Sequence, residues 1–368
     1  MKLIVLHTNL KNGLGIVSRA LGEGSNLPIL KNVSIKTLNN KIRLVTTNLE
    51  LAATHYVSGK IIEEGSITVP FSILYGIVSN CDSERITLEV KNNTLYFQTD
   101  NYNAQIQGLP EEEFPIIPKI TNDKNYIIIN AELLKSSLLK VVSAVQISEI
   151  RPEISGVLFN FQLTHFKVVG TDSFRLAEKT ISEKDFKSNF QRGFQVIIPI
   201  KTIQEVIRVM NNGDVGVYID PNQILFKTEE VEIISRLIDG AYPEYEAIIP
   251  KEFSIECDVS QESFMNAVKL VSNVTGKTND IILKTKEGKK VLEVYSVNQF
   301  VGENRYLVPA KIKGKEFEVA FNWRYLIDGL KNFESEEIYI GVNQENRPVL
   351  LRTPNDFSYF YLLMPIKN

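Results

Sequence analysis

The sequence predicts an α+β fold of three repeated domains, each with two helices packed on antiparallel sheets. Two recurring patterns predict it. The stretches ITVPFSILYGIVSN (67–80), VIIPIKTIQEVIRVM (196–210) and EVAFNWRYLIDGL (318–330) each pass from strand-forming residues into a short helix. Pro70 and Pro199 stand 129 positions apart at the expected first helical position, where a missing N–H costs nothing. Ala320 takes that place in the third copy. The segments that follow, 86–109, 215–238 and 338–365, each read strand, turn, strand, turn, strand. Their first turns carry Asn92-Asn93, Asp220-Pro221-Asn222 and Gln344-Glu345-Asn346, all good turn formers. Their second turns open on Thr99, Thr228 and Thr353. Alternation such as Ile86, Leu88, Val90 fits strands covered on one face.

A second helix opens each repeat. Apolar residues fall at helical spacing over 9–21 (Leu10, Leu14, Val17, Leu21), 131–147 (Leu134, Leu138, Val141, Val145) and 261–274 (Phe264, Val268, Val271). Asn130 and Ser260 are expected N-caps, and Gly22 an expected C-cap. IRLVTTNLELAA (42–53) is then matched by FKVVGTDSFRLAE (166–178), with LEVYSVNQFVGE (292–303) a weaker echo. The frame of this motif is structural. The second copy reads as carrying a Phe-Arg insertion, and function is expected in that difference.

The repeats predict domains 1–122, 123–250 and 251–368. PEEEFPIIPKITND (110–123) and AYPEYEAIIPKEFS (241–254) read as the linkers. At 368 residues the chain has ample core for two or three domains. No apolar run is long enough to span a bilayer, and the N-terminus turns polar too quickly for a secretory signal, so a cytoplasmic protein is expected. Cys81 and Cys257 lack paired spacing, which points away from a disulfide framework and from zinc. A net charge of -3 argues against tight, sequence-specific DNA binding but leaves room for a local basic face.

Signatures of catalysis do not hold up. Gly276-Lys277-Thr278 looks like the end of a phosphate loop, but Val271 stands where its first glycine belongs. Gly13-x-Gly15 lies inside a helical pattern rather than after a strand, so close helix packing is the better reading. His7, His55 and His165 have no metal-ligand spacing. Asp172 and Ser173 are adjacent, their side chains diverge, and no Gly-x-Ser-x-Gly elbow is present, which leaves a hydrolase as a remote rival. Glu111-Glu112-Glu113 reads as a solvated linker face. No catalytic residue, metal or cofactor is assigned.

Basic residues flank five of the six helices: Lys11 and Arg19, Lys135 and Lys140, Lys201 and Arg208, Lys269, and Arg324 and Lys331. They are either ordinary solvent faces or one shared positive surface that meets a phosphate backbone without reading bases.

LPILKNVSI (27–35), TTNLEL (46–51), SGVLFN (155–160), TDSFRLA (171–177), DGAYPEYEAIIP (239–250) and YLLMPIKN (361–368) carry a resemblance. In order and spacing the whole chain resembles the bacterial DNA polymerase III beta subunit, or beta sliding clamp, family. The resemblance implies a ring-forming DNA-clamp fold: a head-to-tail homodimer that encircles duplex DNA, with the nine basic residues toward the DNA. It implies a non-catalytic processivity factor. Dimer contacts are expected near Ala104 and Ile106 of one chain and Leu270 and Val271 of the other. A groove for short linear peptides of the replicative polymerase, clamp loader and repair proteins is also implied. Carried over, it comprises Ile154, Thr171, Ser173, Phe174, Arg175, Leu176, Pro243, Ala247, Ile248, Leu362, Leu363, Met364, Pro365 and Ile366.

Leu176, Ile248, Leu362 and Met364 are expected to form an apolar pocket, with Arg175 as a polar rim. Core packing is the competing reading for the apolar members. The family commonly has Gly-His where Ser173-Phe174 stand and a basic residue at Ala247. It often has an Arg in the loop that here reads Gly22-Glu23-Gly24-Ser25, and an aromatic pair at Pro152-Glu153. Peptide preference is therefore expected to shift and static DNA contact to weaken. A monomeric peptide-binding adaptor of the same fold is the main rival.

Overall fold

Among the described residues, six α-helices punctuate a chain built mostly of antiparallel strands: α1 His7–Val17, α2 Phe71–Asn80, α3 Ala131–Val142, α4 Ile200–Val209, α5 Gln261–Val271 and α6 Trp323–Leu330. The structure, a computed structural model, describes every residue except 23, 25, 39, 121–124, 287, 289, 344, 345, 367 and 368. The expected boundary at 122, Glu23 and Ser25 of the first loop, Gln344-Glu345 and the final Lys367-Asn368 lie outside the described residues.

Local chemistry accounts for the helix starts. The Glu132 N–H donates to Asn130 Oδ1 at 3.0 Å, and the Ser263 N–H donates to Ser260 Oγ at 3.3 Å, as the caps predict. Asn322 caps α6 in the same way, accepting from the Arg324 N–H at 3.0 Å. The prolines sit one step earlier than expected. Pro70 and Pro199 end the strands Ser66–Pro70 and Phe194–Pro199, and the helices begin at the next residue. A fixed φ suits the extended residue that precedes a helix. Their counterpart in the third repeat is Asn322, not Ala320: Asn32 pairs with Pro70, Gly156 with Pro199, and Asp280 with Asn322.

The helix ends differ more. α1 stops at Val17 and passes into the 3₁₀ turn Ser18–Ala20. Gly22 is no cap; its N–H donates to Leu30 O at 2.9 Å. α3 stops at Val142, short of 147, because the Ala144 N–H donates back three residues to Val141 O and tightens the last turn.

Contacts divide the chain into two compact units. The first is Met1–Glu132, Lys187–Phe190 and Gln204–Leu237; the second is Leu133–Phe186, Gln191–Ile203 and Ile238–Asn368. The division cuts the middle repeat because its strands continue two sheets. In the first unit, Val231–Arg236 of the middle repeat pairs with Leu51–Val57 of the first, within a nine-stranded sheet. A separate five-stranded sheet there runs Gly59–Glu63, Lys2–Leu6, Arg85–Lys91, Thr94–Gln98, Asn103–Gln107. In the second unit, Arg175–Ser182 pairs with Asp356–Leu363 of the third repeat, within a twelve-stranded sheet.

Helices pack on these sheets through apolar stripes. α1 buries Leu10, Leu14 and Val17, at about 1.5–3 kcal/mol for each such side chain. Gly13 belongs to the same face because a β-carbon there would lie 2.7 Å from Val57 Cγ2 and 2.9 Å from His55 Nδ1. Gly15 has open space instead, so only half of the Gly-x-Gly pair is a packing device. The second unit centres on Leu158, Val169, Leu176, Ile197, Tyr245, Tyr339, Leu350 and Leu362. Cys257 is buried, which pushes its thiol up to about 12 and leaves it unreactive. No helix among the described residues is long and apolar enough to cross a membrane.

Candidate functional site

The motif TDSFRLA forms a tight polar turn between two strands, His165–Thr171 and Arg175–Ser182. Asp172 Oδ1 accepts the N–H groups of Phe174 (2.9 Å) and Arg175 (3.0 Å), while the Thr171 hydroxyl donates to Arg175 O at 2.7 Å. Asn48 and Thr47 do the same in the first repeat: Asn48 Oδ1 accepts from Glu50 (3.0 Å) and Leu51 (2.8 Å), and the Thr47 hydroxyl donates to Leu51 O at 3.0 Å. The two turns are equally long. The expected Phe-Arg insertion is therefore a substitution, with Phe174 and Arg175 standing where Glu50 and Leu51 stand. Ser173 and Leu49 both take the left-handed backbone conformation, with φ of 77° and 76°. Gly170 before the turn is required by a close approach, since a β-carbon there would lie 2.5 Å from Val141 O.

The C-terminal segment docks on this turn. Leu176 pairs with Leu362 and Arg175 with Leu363. The Met364 N–H then donates to Phe174 O at 2.8 Å, and the Ile366 N–H to Ala320 O at 2.8 Å. Leu176, Leu362, Leu363, Ile154 and Thr171 are buried, while Met364, Pro365, Ile366 and Pro243 are half-buried. Phe174 is 60% exposed and Ile248 48%, and Ala247 beside it is exposed as well. Of the four residues expected to form a pocket, Leu176 and Leu362 thus belong to the interior cluster. Ile248 and Met364 present surface.

Arg175 is not a polar rim. Its side chain is only 10% exposed. Nε donates to Asp172 Oδ2 at 2.9 Å, Nη1 donates to Asp328 Oδ2 at 2.7 Å, and the guanidinium lies 4.3 Å from the centre of the Tyr325 ring. Burial acts to lower its pKa, but Tyr361, Asp328 and Asp172 raise it above its ordinary value, so the charge persists. Phe174 also stacks on Tyr325, with ring centres 6.5 Å apart. Tyr325 and Asp328 are site residues that sequence reasoning missed. Their signal was their spacing of three on α6, which puts them on one face. Arg151 was missed too: its Nη1 donates to Ser173 Oγ at 3.0 Å. Asp172 spends its oxygens on the turn and on Arg175, and Ser173 faces Arg151, so this geometry does not form a nucleophile–base pair.

The basic residues fall into two groups. Lys11, Arg19, Lys201, Lys269, Arg324 and Lys331 are exposed, and Lys135 is half-buried. Arg208, though exposed, and half-buried Lys140 are engaged by other parts of the protein. Arg208 donates to Gly15 O at 3.4 Å, Ile16 O at 3.2 Å and Glu205 Oε2 at 2.8 Å, and so caps the last carbonyls of α1. Lys140 pairs with Glu334 at 3.4 Å and lies 5.5 Å from the centre of the Tyr359 ring. Among the expected dimer residues, Leu270 is exposed and Ala104 half-buried, but Ile106 and Val271 are buried within their own units.

Three family descriptions match the chain in series. They are DNA polymerase III beta subunit, N-terminal domain over 1–118, central domain over 128–244 and C-terminal domain over 246–367. The beta sliding clamp of Bacillus subtilis strain 168 is 27% identical over 381 aligned positions, with all of both chains covered. That of a Staphylococcus epidermidis strain is 25% identical, covering 97% of this chain and 96% of the relative. The crystal structure of the DNA polymerase sliding clamp from Bacillus subtilis matches with a TM-score of 0.95 at 26% identity, covering 100% and 99% of the two chains. A sliding clamp from Bartonella birtlesii, bound to griselimycin, matches with a TM-score of 0.91 at 26% identity over 100% of both. Three repeats whose sheets run on from one to the next are the architecture of a DNA clamp. The chain belongs to the DNA polymerase III beta subunit family, the beta sliding clamps.

Proposed function

We propose that the chain is a processivity clamp: two copies close head to tail around duplex DNA and tether the replicative polymerase, clamp loader and repair proteins through a peptide groove. It is a non-catalytic, cytoplasmic accessory subunit with domains 1–122, 123–250 and 251–368. The groove consists of the fourteen residues from Ile154 to Ile366 named above, joined by Tyr325. The observation that carries this reading is the docking of the C-terminal segment on the Thr171–Leu176 turn. It sets exposed Phe174 and half-buried Met364 against a buried apolar floor of Leu176 and Leu362. Exposed apolar anchoring surface with a rigid base is what a short Leu- and Phe-bearing peptide needs.

Quasi-equivalence of the repeats supports the ring. Ala53 pairs with Ile233, and Ala177 with Tyr361, wherever one repeat's last strand meets its neighbour. The counterpart of Ile233 and Tyr361 in the first repeat is Ala104, opposite Phe97 on the edge strand Asn103–Gln107. The counterpart of Ala53 and Ala177 in the third repeat is Asn304, opposite Ser296. The same register between two copies sets Ala104 against the partner's Asn304, and closing the ring covers the open edge. Asn304 Nδ2 donates to Leu270 O at 2.9 Å, which brings Leu270 to the same contact.

The test is a titration of a labelled Gln-Leu-x-Leu-Phe peptide into the full chain and into a variant truncated after Tyr361, with a thermal melt of each. Saturable binding to the full chain and none to the folded truncation is expected. Equal binding by both rules out the groove. A single-chain mass in solution at working concentration favours the adaptor instead.

A further inference from the structure

We infer that half-buried Lys167 and buried Glu178 and Tyr245 form a polar lock that positions one wall of the peptide groove. The inference rests on the groove reading above. The wall is the 3₁₀ turn Tyr245–Ile248, which carries Ala247 and Ile248. Beyond the Tyr245 N–H, which donates to Pro243 O at 2.7 Å, the turn's own backbone bonds are long: the Ala247 N–H donates to Glu244 O at 3.4 Å and the Ile249 N–H to Glu246 O at 3.3 Å. Short 3₁₀ turns have poor hydrogen-bond geometry and need outside support.

That support comes from the sheet beneath. Tyr245 is buried, and its hydroxyl donates to Glu178 Oε2 at 2.7 Å. Glu178 is itself buried, on the strand Arg175–Ser182 that leaves the TDSFRLA turn. A buried carboxylate needs a counter-charge and hydrogen bonds. Lys167, on the neighbouring strand His165–Thr171, supplies the charge at 3.4 Å from Glu178 Oε1. The same ammonium reaches Glu246 Oε1 at 3.1 Å. Two consecutive residues of the turn are thus fastened to the sheet, and the next two, Ala247 and Ile248, face outward. The Tyr242 ring meets Tyr245 edge-on, with centres 6.2 Å apart. A cavity of about 840 Å³ lies along the turn, lined by Asn160, Lys167, Tyr242 and Tyr245 among others. Without the lock the turn has room to sink toward it, and Ile248 would leave its place. The three residues are positioning residues, since they act through Ala247 and Ile248.

The test uses the full chain and the labelled Gln-Leu-x-Leu-Phe peptide. Tyr245→Phe removes one hydroxyl and keeps the ring; Lys167→Met removes the charge and Lys167→Arg keeps it. Tyr245→Phe and Lys167→Met are each expected to weaken the peptide roughly tenfold, the size of one charge-assisted hydrogen bond, with Lys167→Arg close to wild type. Combined with Ile248→Ala, Tyr245→Phe is expected to cost little more, because both act at one point. Amide exchange at 246–249 is expected to speed up in Tyr245→Phe while strand amides at 166–170 hold. Unchanged affinity in both variants, or losses that add in the double variant, overturns the lock. If the wild type binds no peptide, the groove reading fails, and exchange at 246–249 alone decides whether the lock holds the turn.

Discussion

Arg175 Nη1 donates to Asp328 Oδ2 at 2.7 Å, tying a strand of the middle repeat to helix α6 of the third. The same guanidinium holds Asp172, whose other oxygen organises the turn. Arg175→Ala strips partners from the nearly buried Asp172, and breaking a buried pair costs about 3–5 kcal/mol. Asp328 is more exposed, so Asp328→Asn should cost about 1 kcal/mol or less. Urea unfolding of both variants gives the order, and a milder loss for Arg175→Ala would show that the pair does not brace the fold.

Ser173 holds a φ of 77°, a conformation that costs an L-residue about 1–2 kcal/mol relative to glycine. Ser173→Gly is expected to change stability by less than about 1 kcal/mol, because the relief of strain is offset by the loss of the Arg151 hydrogen bond and the added freedom of the unfolded chain. Ser173→Val should lower it. A destabilised glycine variant would mean that the contact with Arg151 outweighs the backbone strain.

His55 is buried beneath α1, with neither ring nitrogen hydrogen-bonded and Nε2 4.0 Å from Glu230 Oε2. Burial lowers its pKa below 6.5, with Glu230 opposing. The unfolded chain therefore binds the proton first as pH falls. The stability from neutral His55 is complete above pH 6.5 and drains away as pH drops toward the folded value. His55→Leu should flatten the acid side of a stability curve taken from pH 8 to 5. Parallel curves would exclude His55 as its source.

The exposed lysines and the committed cations should separate in a DNA-retention assay. Reversing Lys11, Lys201, Lys269 and Lys331 to Glu is expected to shorten retention on circular duplex DNA while peptide binding and melting temperature hold. The salt slope should fall by about 0.9 for every phosphate that is no longer neutralised. Arg208→Glu should instead lower the melting temperature, because it removes the cap on α1. Equal loss of peptide and DNA binding in the lysine variant would remove those residues from the inner face.

An Ala104→Cys, Asn304→Cys double variant tests the dimer register. Cross-strand partners bring β-carbons to about 4.5–5.5 Å, near enough for a disulfide after small adjustment. Oxidation should give a covalent dimer, while either single variant should not. Monomer alone after oxidation would discard this register.

The repeats and the candidate site were legible to different depths. Strand alternation and the recurring Thr-Asx turn marked where the sheets run, because period and turn chemistry are local properties. The motif TDSFRLA was visible as a turn for the same reason. Its partners on α6 were not: Tyr325 and Asp328 lie 150 and more positions away, and only packing brings them to Arg175. Helix ends were misjudged where apolar spacing continued past the last α-helical hydrogen bond, as Val145 does beyond α3, its N–H donating back only three residues to Val142 O.

The sequence by itself determined the threefold repetition, the antiparallel strands with their caps and turns, and the family. Each depends on residues within a few positions or on a pattern repeated along the chain. Tertiary structure decided which charges are free and which are bound. Arg208 and Lys140 look like Lys201 and Lys269 on a helical wheel. The first two meet carbonyls, a carboxylate and a ring from distant segments, and the others stay in solvent. It also decided that Leu176 and Leu362 are buried while Phe174 and Ile248 are exposed. Burial is a property of the assembled sheets, and side chains of equal hydrophobicity take either place according to what covers them.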